Sequence, residues 1–117
     1  MKRIFYPSSI VVIGVSEKPD NLARNILGNL RAFNYKGSLF AVGRREVVVH
    51  GVPVVTSLEQ VPDGIDLAVI LTPAFLVPDL LETCGRKRIL RVVIESGGFG
   101  EFSDEGRALE QRLVEIA

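Results

Sequence analysis

A chain of 117 residues, 47% hydrophobic and 24% charged, has the size and apolar content of one compact domain, which excludes a disordered tail and leaves no room for two domains. Fourteen Lys/Arg against fourteen Asp/Glu give a formal net charge of zero, which argues against a broad nucleic-acid-binding surface but allows a local cationic pocket for one anion. A single cysteine, Cys84, and a single histidine, His50, rule out an internal disulfide, a four-cysteine zinc site and a histidine-rich metal centre, and disfavour a Ser-His-Asp triad.

The first apolar run, residues 10–15, is β-branched and uninterrupted by charge, as expected of a strand covered on both faces. It is too short to span a membrane, and nothing near it reads as an export signal; with the scarcity of cysteine, this sets the expectation of a cytoplasmic protein. Residues 21–33 follow as a helix, with Leu22, Ile26, Leu30 and Phe33 at three- and four-residue spacing, Asp20 or Asn21 as cap, and Tyr35-Lys36-Gly37 as exit. A second strand over 38–42 runs into the polar break Gly43-Arg44-Arg45-Glu46. His50-Gly51 and Pro53 make 47–55 a turn or minor hairpin in place of a central strand.

Ser57-Leu58-Glu59-Gln60 matches a capping box that opens one helical turn before Pro62. Residues 66–71 form the third strong strand. Thr72-Pro73 has the form of a helix cap followed by proline, opening a helix to about Cys84 with Leu76, Leu80 and Leu81 on one face. A fourth strand over 90–94 and an amphipathic helix over 103–117, with Leu109, Leu113 and Ile116 on its apolar face, complete the chain. Strands alternating with helices imply parallel pairing and right-handed crossovers, hence an α/β fold: a three-layer Rossmann-type open sheet, mainly parallel. The last helix ends without a cap glycine or polar tail, so the expectation is a domain over 1–117 cut from a longer, multidomain polypeptide.

Ligands of such a sheet gather at the carboxyl ends of its strands. Four segments fall there: Gly14 to Lys18, Gly43 to Arg45, Thr72-Pro73, and Ser96 to Glu101 with Gly97 and Gly98. Gly14 permits a tight turn, Ser16 offers a hydroxyl to a phosphate oxygen, the next helix offers backbone N–H groups, and Lys18 and Arg24 add charge. The dinucleotide fingerprint Gly-x-Gly-x-x-Gly is absent, with Ser16 at its second glycine, and no acidic residue ends the second strand to grip a ribose diol. Arg44 and Arg45 stand there instead, suited to a 2′-phosphate of NADP or to another phosphorylated adenosine ribose. The Gly-Lys-Ser/Thr phosphate loop of an NTPase is also missing. Read singly, each segment has a plain structural account: a strand-to-helix turn, a solvated charged turn, a cap at Thr72, a flexible glycine crossover. Cys84 reads as a packing residue, His50 as a surface side chain and Arg86-Lys87-Arg88 as a helix-end charge cluster.

Phe5 to Ser16 (FYPSSIVVIGVS) resembles the opening of the CoA-binding domain of NDP-forming acyl-CoA synthetases, which are related to the succinyl-CoA synthetase α subunit. The likeness continues through Asn29-Leu30, Tyr35-Lys36-Gly37, Val61 to Ile70 (VPDGIDLAVI), Gly98 to Glu101 and Glu105-Gly106-Arg107, in the family's order and over nearly the whole chain. It implies coenzyme A or an acyl-CoA as ligand: Ser16 and the loop around Lys18 touch the pyrophosphate, the end of the second strand meets the adenosine end, and the Thr72-Pro73 turn borders the ligand. For Gly97 and Gly98 the alternative to a flexible crossover is that their amides approach the pantetheine arm or a partner domain. Relatives commonly carry Asn-Pro-Lys where this chain has Gly43-Arg44-Arg45, so Arg45 keeps the cation, and Ala23 replaces a frequent glycine.

The resemblance further implies that catalysis belongs to additional domains or a subunit, since the family's phosphorylated histidine lies on a later domain and His50 does not match it. No residue here is assigned a catalytic or metal-binding role, and neither nucleic acid nor a membrane is an expected partner. Two other readings stand beside this one: a NADP-binding oxidoreductase module, from the arginines after the second strand, and a regulatory domain that has kept the fold and lost the ligand, from Gly43-Arg44 and Ala23.

Overall fold

A computed structural model describes residues 7–95. The helix expected over 103–117 and the Ser96 to Glu101 segment, with Gly97 and Gly98, lie outside the described residues.

Among the described residues, six strands form one sheet in the order β3 (Val48–Val49), β4 (Val52–Val55), β2 (Ser38–Gly43), β1 (Ser9–Val15), β5 (Leu67–Ile70), β6 (Arg91–Ile94). Strand β1 (Ser9–Val15) is central, pairing in parallel with β2 (Ser38–Gly43) on one side and with β5 (Leu67–Ile70) on the other. Its alternation serves two cores. Ile10 and Val12 pack with Ala23, Ile26 and Leu27 of α1 (Leu22–Ala32), while Val11 and Ile13 pack toward Cys84 of α2 (Val77–Arg86), with Leu58, Val61 and Ile65 of the connecting segment. That double burial explains why the strand reads as an unbroken apolar run and not as an alternating one.

The 47–55 segment is a hairpin of β3 (Val48–Val49) and β4 (Val52–Val55), turned at His50 and Gly51, both at positive φ. The hairpin was legible, its attachment less so: β4 pairs in parallel with β2 through Ala41 and Val42, and buries Val52 and Val54. Pro53 is tolerated on so short a strand near the sheet edge. Strand β6 (Arg91–Ile94) forms the opposite edge.

Asn21 is the cap of α1, its side-chain oxygen accepting from Arg24 N at 2.7 Å. The helix ends at Phe33, which is exposed and not part of the buried stripe, and Asn34 takes positive φ to turn the chain. Tyr35-Lys36-Gly37 does more than end a helix. The Tyr35 ring lies where a side chain on Gly37 would stand, and its hydroxyl donates to Pro7 O at 2.5 Å, tying the entry of β1 to that of β2.

The Ser57 capping box is present, with the Gln60 side-chain oxygen accepting from Ser57 N at 3.0 Å over a 3-10 turn at Leu58–Gln60. The start of the next helix differs from expectation. Thr72 is not its cap; the Thr72 hydroxyl turns to Pro73 O at 3.3 Å, a 3-10 turn covers Ala74–Leu76, and α2 begins at Val77. Pro78 is the cause: it has no N–H to give the carbonyl of residue 74, and its ring crowds that carbonyl, so an α-helical ladder cannot start at 73 and run through it. The apolar face shifts accordingly. Val77, Leu80 and Cys84 face the core, while Leu76 and Leu81 are 37% and 40% exposed.

The cluster 86–88 is largely consumed in structure. Arg86 pairs with Glu59 at 2.6 Å, and Lys87, only 7% exposed, reaches Asp63 at 2.9 Å and Glu59 O at 3.4 Å, clamping the segment before β5 onto the end of α2. Neighbouring Lys87 holds the Asp63 carboxyl below its usual value, as Arg86 does for Glu59.

Candidate functional site

The crossover through α1 leaves β1 toward β2, and the chain later returns to β5 on the other side, so the direction of winding reverses beside β1. Three strand ends are neighbours there: Val15 is opposite Gly43, and Leu71 N donates to Ile13 O at 2.9 Å. Beyond them opens a cleft of about 740 Å³, within the range of small-molecule sites. Gly14, Ser16 and Lys18 from the first loop, Arg44 and Arg45 from the second, and Thr72 and Pro73 from the third all line it. The described residues expected from sequence are thus brought to one place.

Two glycines make the approach possible. Gly14 has φ of +107°, and a side chain on it would run into the Leu71 carbonyl across the β1–β5 pair. A side chain on Gly43 would strike the Val15 carbonyl, at the point where the β1–β2 register shifts. The glycine at position 43 therefore suits this close strand contact, and it launches Arg44 and Arg45 from a fixed base.

The first loop is closed on itself around Asn21. Its side-chain amide donates to Gly14 O at 3.1 Å, while its oxygen accepts from Ser16 N at 3.3 Å as well as from Arg24 N. Ser16 Oγ accepts from Lys18 N at 3.3 Å, which leaves the hydroxyl proton to be donated elsewhere. Asn21, which also lines the cleft, is the residue that sequence reading valued only as a cap. Its double use has no signature in the local sequence, since the partner carbonyl of Gly14 comes from the other side of the turn. Arg24, expected to add charge, does not line the cleft and donates to Asn25 Oδ1 at 3.4 Å.

The floor and far wall are apolar, built from Ile13, Val15, Val42, Val47, Leu71, Leu76 and Leu80. Lys18, Arg44 and Arg45 give one rim a cationic character, with Glu17 beside them and Asp79 on the α2 side. Such a cleft accepts an elongated ligand with anionic groups at one end and an uncharged body along the rest.

Other candidates fall outside it. Cys84 is buried, and burial pushes its thiol pKa up, away from a nucleophile's requirement. The His50 ring sits against α1 at Gly28, where a side chain would come within 2.7 Å of Nε2. Among the described residues, no group of three His, Cys, Asp or Glu side chains is placed to hold a metal, and no helix is long and apolar enough to cross a membrane.

A family model described as a CoA binding domain matches residues 8–117. The α subunit of an ADP-forming acetate–CoA ligase I from Pyrococcus furiosus is 40% identical over 121 aligned positions, covering 100% of this chain and 26% of that one. The ADP-forming acetate–CoA ligase I of Archaeoglobus fulgidus is 41% identical over 117 positions, covering 100% of this chain and 17% of its own. The solved dinucleotide forming acetyl-coenzyme A synthetase 1 of Candidatus Korarchaeum cryptofilum, in complex with phosphate and ADP, superimposes with a TM-score of 0.74 at 31% identity, over 97% of this chain and 24% of that one. The chain spans about a quarter or less of the length of these relatives.

Proposed function

Because this chain belongs to the CoA binding domain family, we propose that its strand-end cleft binds coenzyme A and presents it to catalytic domains of an NDP-forming acyl-CoA synthetase. The observation that carries this reading is the convergence of Gly14-to-Lys18, Gly43-to-Arg45 and Thr72-Pro73 on one cleft with a cationic rim and an apolar wall. In this arrangement the Ser16 hydroxyl and Lys18 meet the pyrophosphate, and Arg44 and Arg45 meet the phosphorylated adenosine ribose. The uncharged pantetheine arm runs past Thr72, Pro73 and Leu76. CoA is then a substrate, delivered with its thiol toward an acyl group held on another domain or subunit, and the domain works in the cytoplasm with the rest of its ligase. The family match favours CoA over a nicotinamide cofactor, whose glycine fingerprint this chain lacks.

Calorimetry with CoA, dephospho-CoA, NADPH and ATP tests the reading. CoA binds most tightly, and its advantage over dephospho-CoA shrinks with added salt, because the extra phosphate engages the cationic rim. Preference for NADPH overturns the assignment. A folded protein that binds none of the four is a domain that has lost its ligand.

A further inference from the structure

Glu17 lies within the expected Gly14-to-Lys18 segment, where it was given no role of its own, and it lines the cleft. Its carboxylate lies 3.8 Å from the Arg45 guanidinium, with side-chain exposures of 57% and 80%. The two residues belong to different loops, one following β1 and the other following β2, so the pair spans the rim directly above the Val15–Gly43 strand contact. Both bases are fixed. Asn21 closes the first loop through Gly14 and Ser16, and Gly43 is seated on the Val15 carbonyl. The side chains can swing while the loops hold their spacing.

We propose that Glu17 is an internal competitor for Arg45, which sets how tightly the site holds a terminal phosphomonoester; the proposal rests on the CoA reading above. A phosphate approaching Arg45 meets a carboxylate already there, and two anions within a few ångströms of one guanidinium repel each other. Binding is therefore an exchange: the phosphate takes the guanidinium and Glu17 turns to water. The cost falls most on ligands that use Arg45. A dianionic 3′-phosphate carries enough charge to displace the carboxylate. Glu17 thereby lowers affinity for the phosphorylated ribose and eases release of the nucleotide, a property suited to a carrier site that must exchange CoA for acyl-CoA. Because the pair is exposed, the competition is modest and sensitive to salt.

Binding of CoA and dephospho-CoA to the full chain is measured at low salt for wild type, Glu17→Gln, Arg45→Gln and the double variant, with thermal melts to verify folding. Glu17→Gln tightens CoA by about two- to fivefold, the scale of one exposed ion pair, and tightens dephospho-CoA by less, since only the shared pyrophosphate then gains. In the Arg45→Gln background the gain for CoA falls to that for dephospho-CoA. Equal tightening of both ligands, an excess gain for CoA that survives without Arg45, or weaker CoA binding by Glu17→Gln each overturns the competitor role and leaves the CoA site standing. If the folded wild type and Glu17→Gln both fail to bind either ligand, the CoA reading itself falls and takes this one with it.

Discussion

On the CoA reading, Ser16 makes two uses of one hydroxyl. Its oxygen accepts from Lys18 N, which shapes the turn, and its proton remains for a ligand oxygen at the cleft. The Asn21 network supports the same loop through other atoms, so the turn does not depend on Ser16 alone. Ser16→Ala therefore weakens CoA binding by about 0.5–1.5 kcal/mol, the worth of one ordinary hydrogen bond, with little change in melting temperature. Calorimetry paired with a thermal melt checks this; a lower melting temperature at unchanged affinity would assign the hydroxyl to the turn only. Ser16 was singled out in sequence by its hydroxyl at the carboxyl end of the first strand and by the family resemblance. Asn21 and Glu17 were not visible as site residues, because a capping asparagine and a surface glutamate are common and only the facing loop gives each a second partner.

Asp66 joins elements at the far, amino-terminal edge of the sheet. Just before β5, its carboxylate accepts from Ser8 Oγ at 2.6 Å and from Ser8 N at 2.7 Å, while its own N–H donates to Ser9 Oγ at 3.0 Å. The Ser8 hydroxyl first, and then the Ser8 amide, lowers its pKa below the ordinary carboxylate value. Because folding lowers this pKa, the unfolded chain binds more protons than the folded one between the two values. The stabilisation is complete above the unfolded value, about 3.9, and is lost as pH falls through it toward the folded one. Acid titration of stability should show this loss in the wild type and a flatter profile in Asp66→Asn; identical profiles would remove Asp66 from the account. The element most misread, the start of α2, went wrong for a related reason: Thr72-Pro73 has a capping form, but Pro78 withholds the hydrogen bond that an early start requires.

For the whole molecule, the cleft brings together Ser16, Lys18, Arg44 and Arg45 over an apolar wall, and no group of side chains among the described residues is placed to hold a metal. On the CoA reading proposed above, the domain positions a substrate and the transfer of acyl and phosphoryl groups needs chemistry from the remainder of a ligase; this chain covers at most 26% of the relatives above. The purified chain is expected to bind CoA with no turnover of acyl-CoA, phosphate and NDP. Sustained turnover in a coupled assay by the 117-residue chain alone would contradict that division of labour.

What the sequence determined by itself was the repeating grammar: four apolar runs that became β1, β2, β5 and β6, the α1 stripe with a cap at Asp20 or Asn21, the Ser57 box, and the loops at which a parallel sheet must gather its ligand. These are local or topological consequences of periodicity and capping, which act over a few residues. Tertiary structure alone decided that β4 extends the sheet beside β2, that Lys87 is spent on Asp63, and that Glu17 faces Arg45 across the rim. Each of these depends on two segments distant in the chain meeting at a few ångströms. No spacing within either segment encodes that distance; the packing of the sheet sets it.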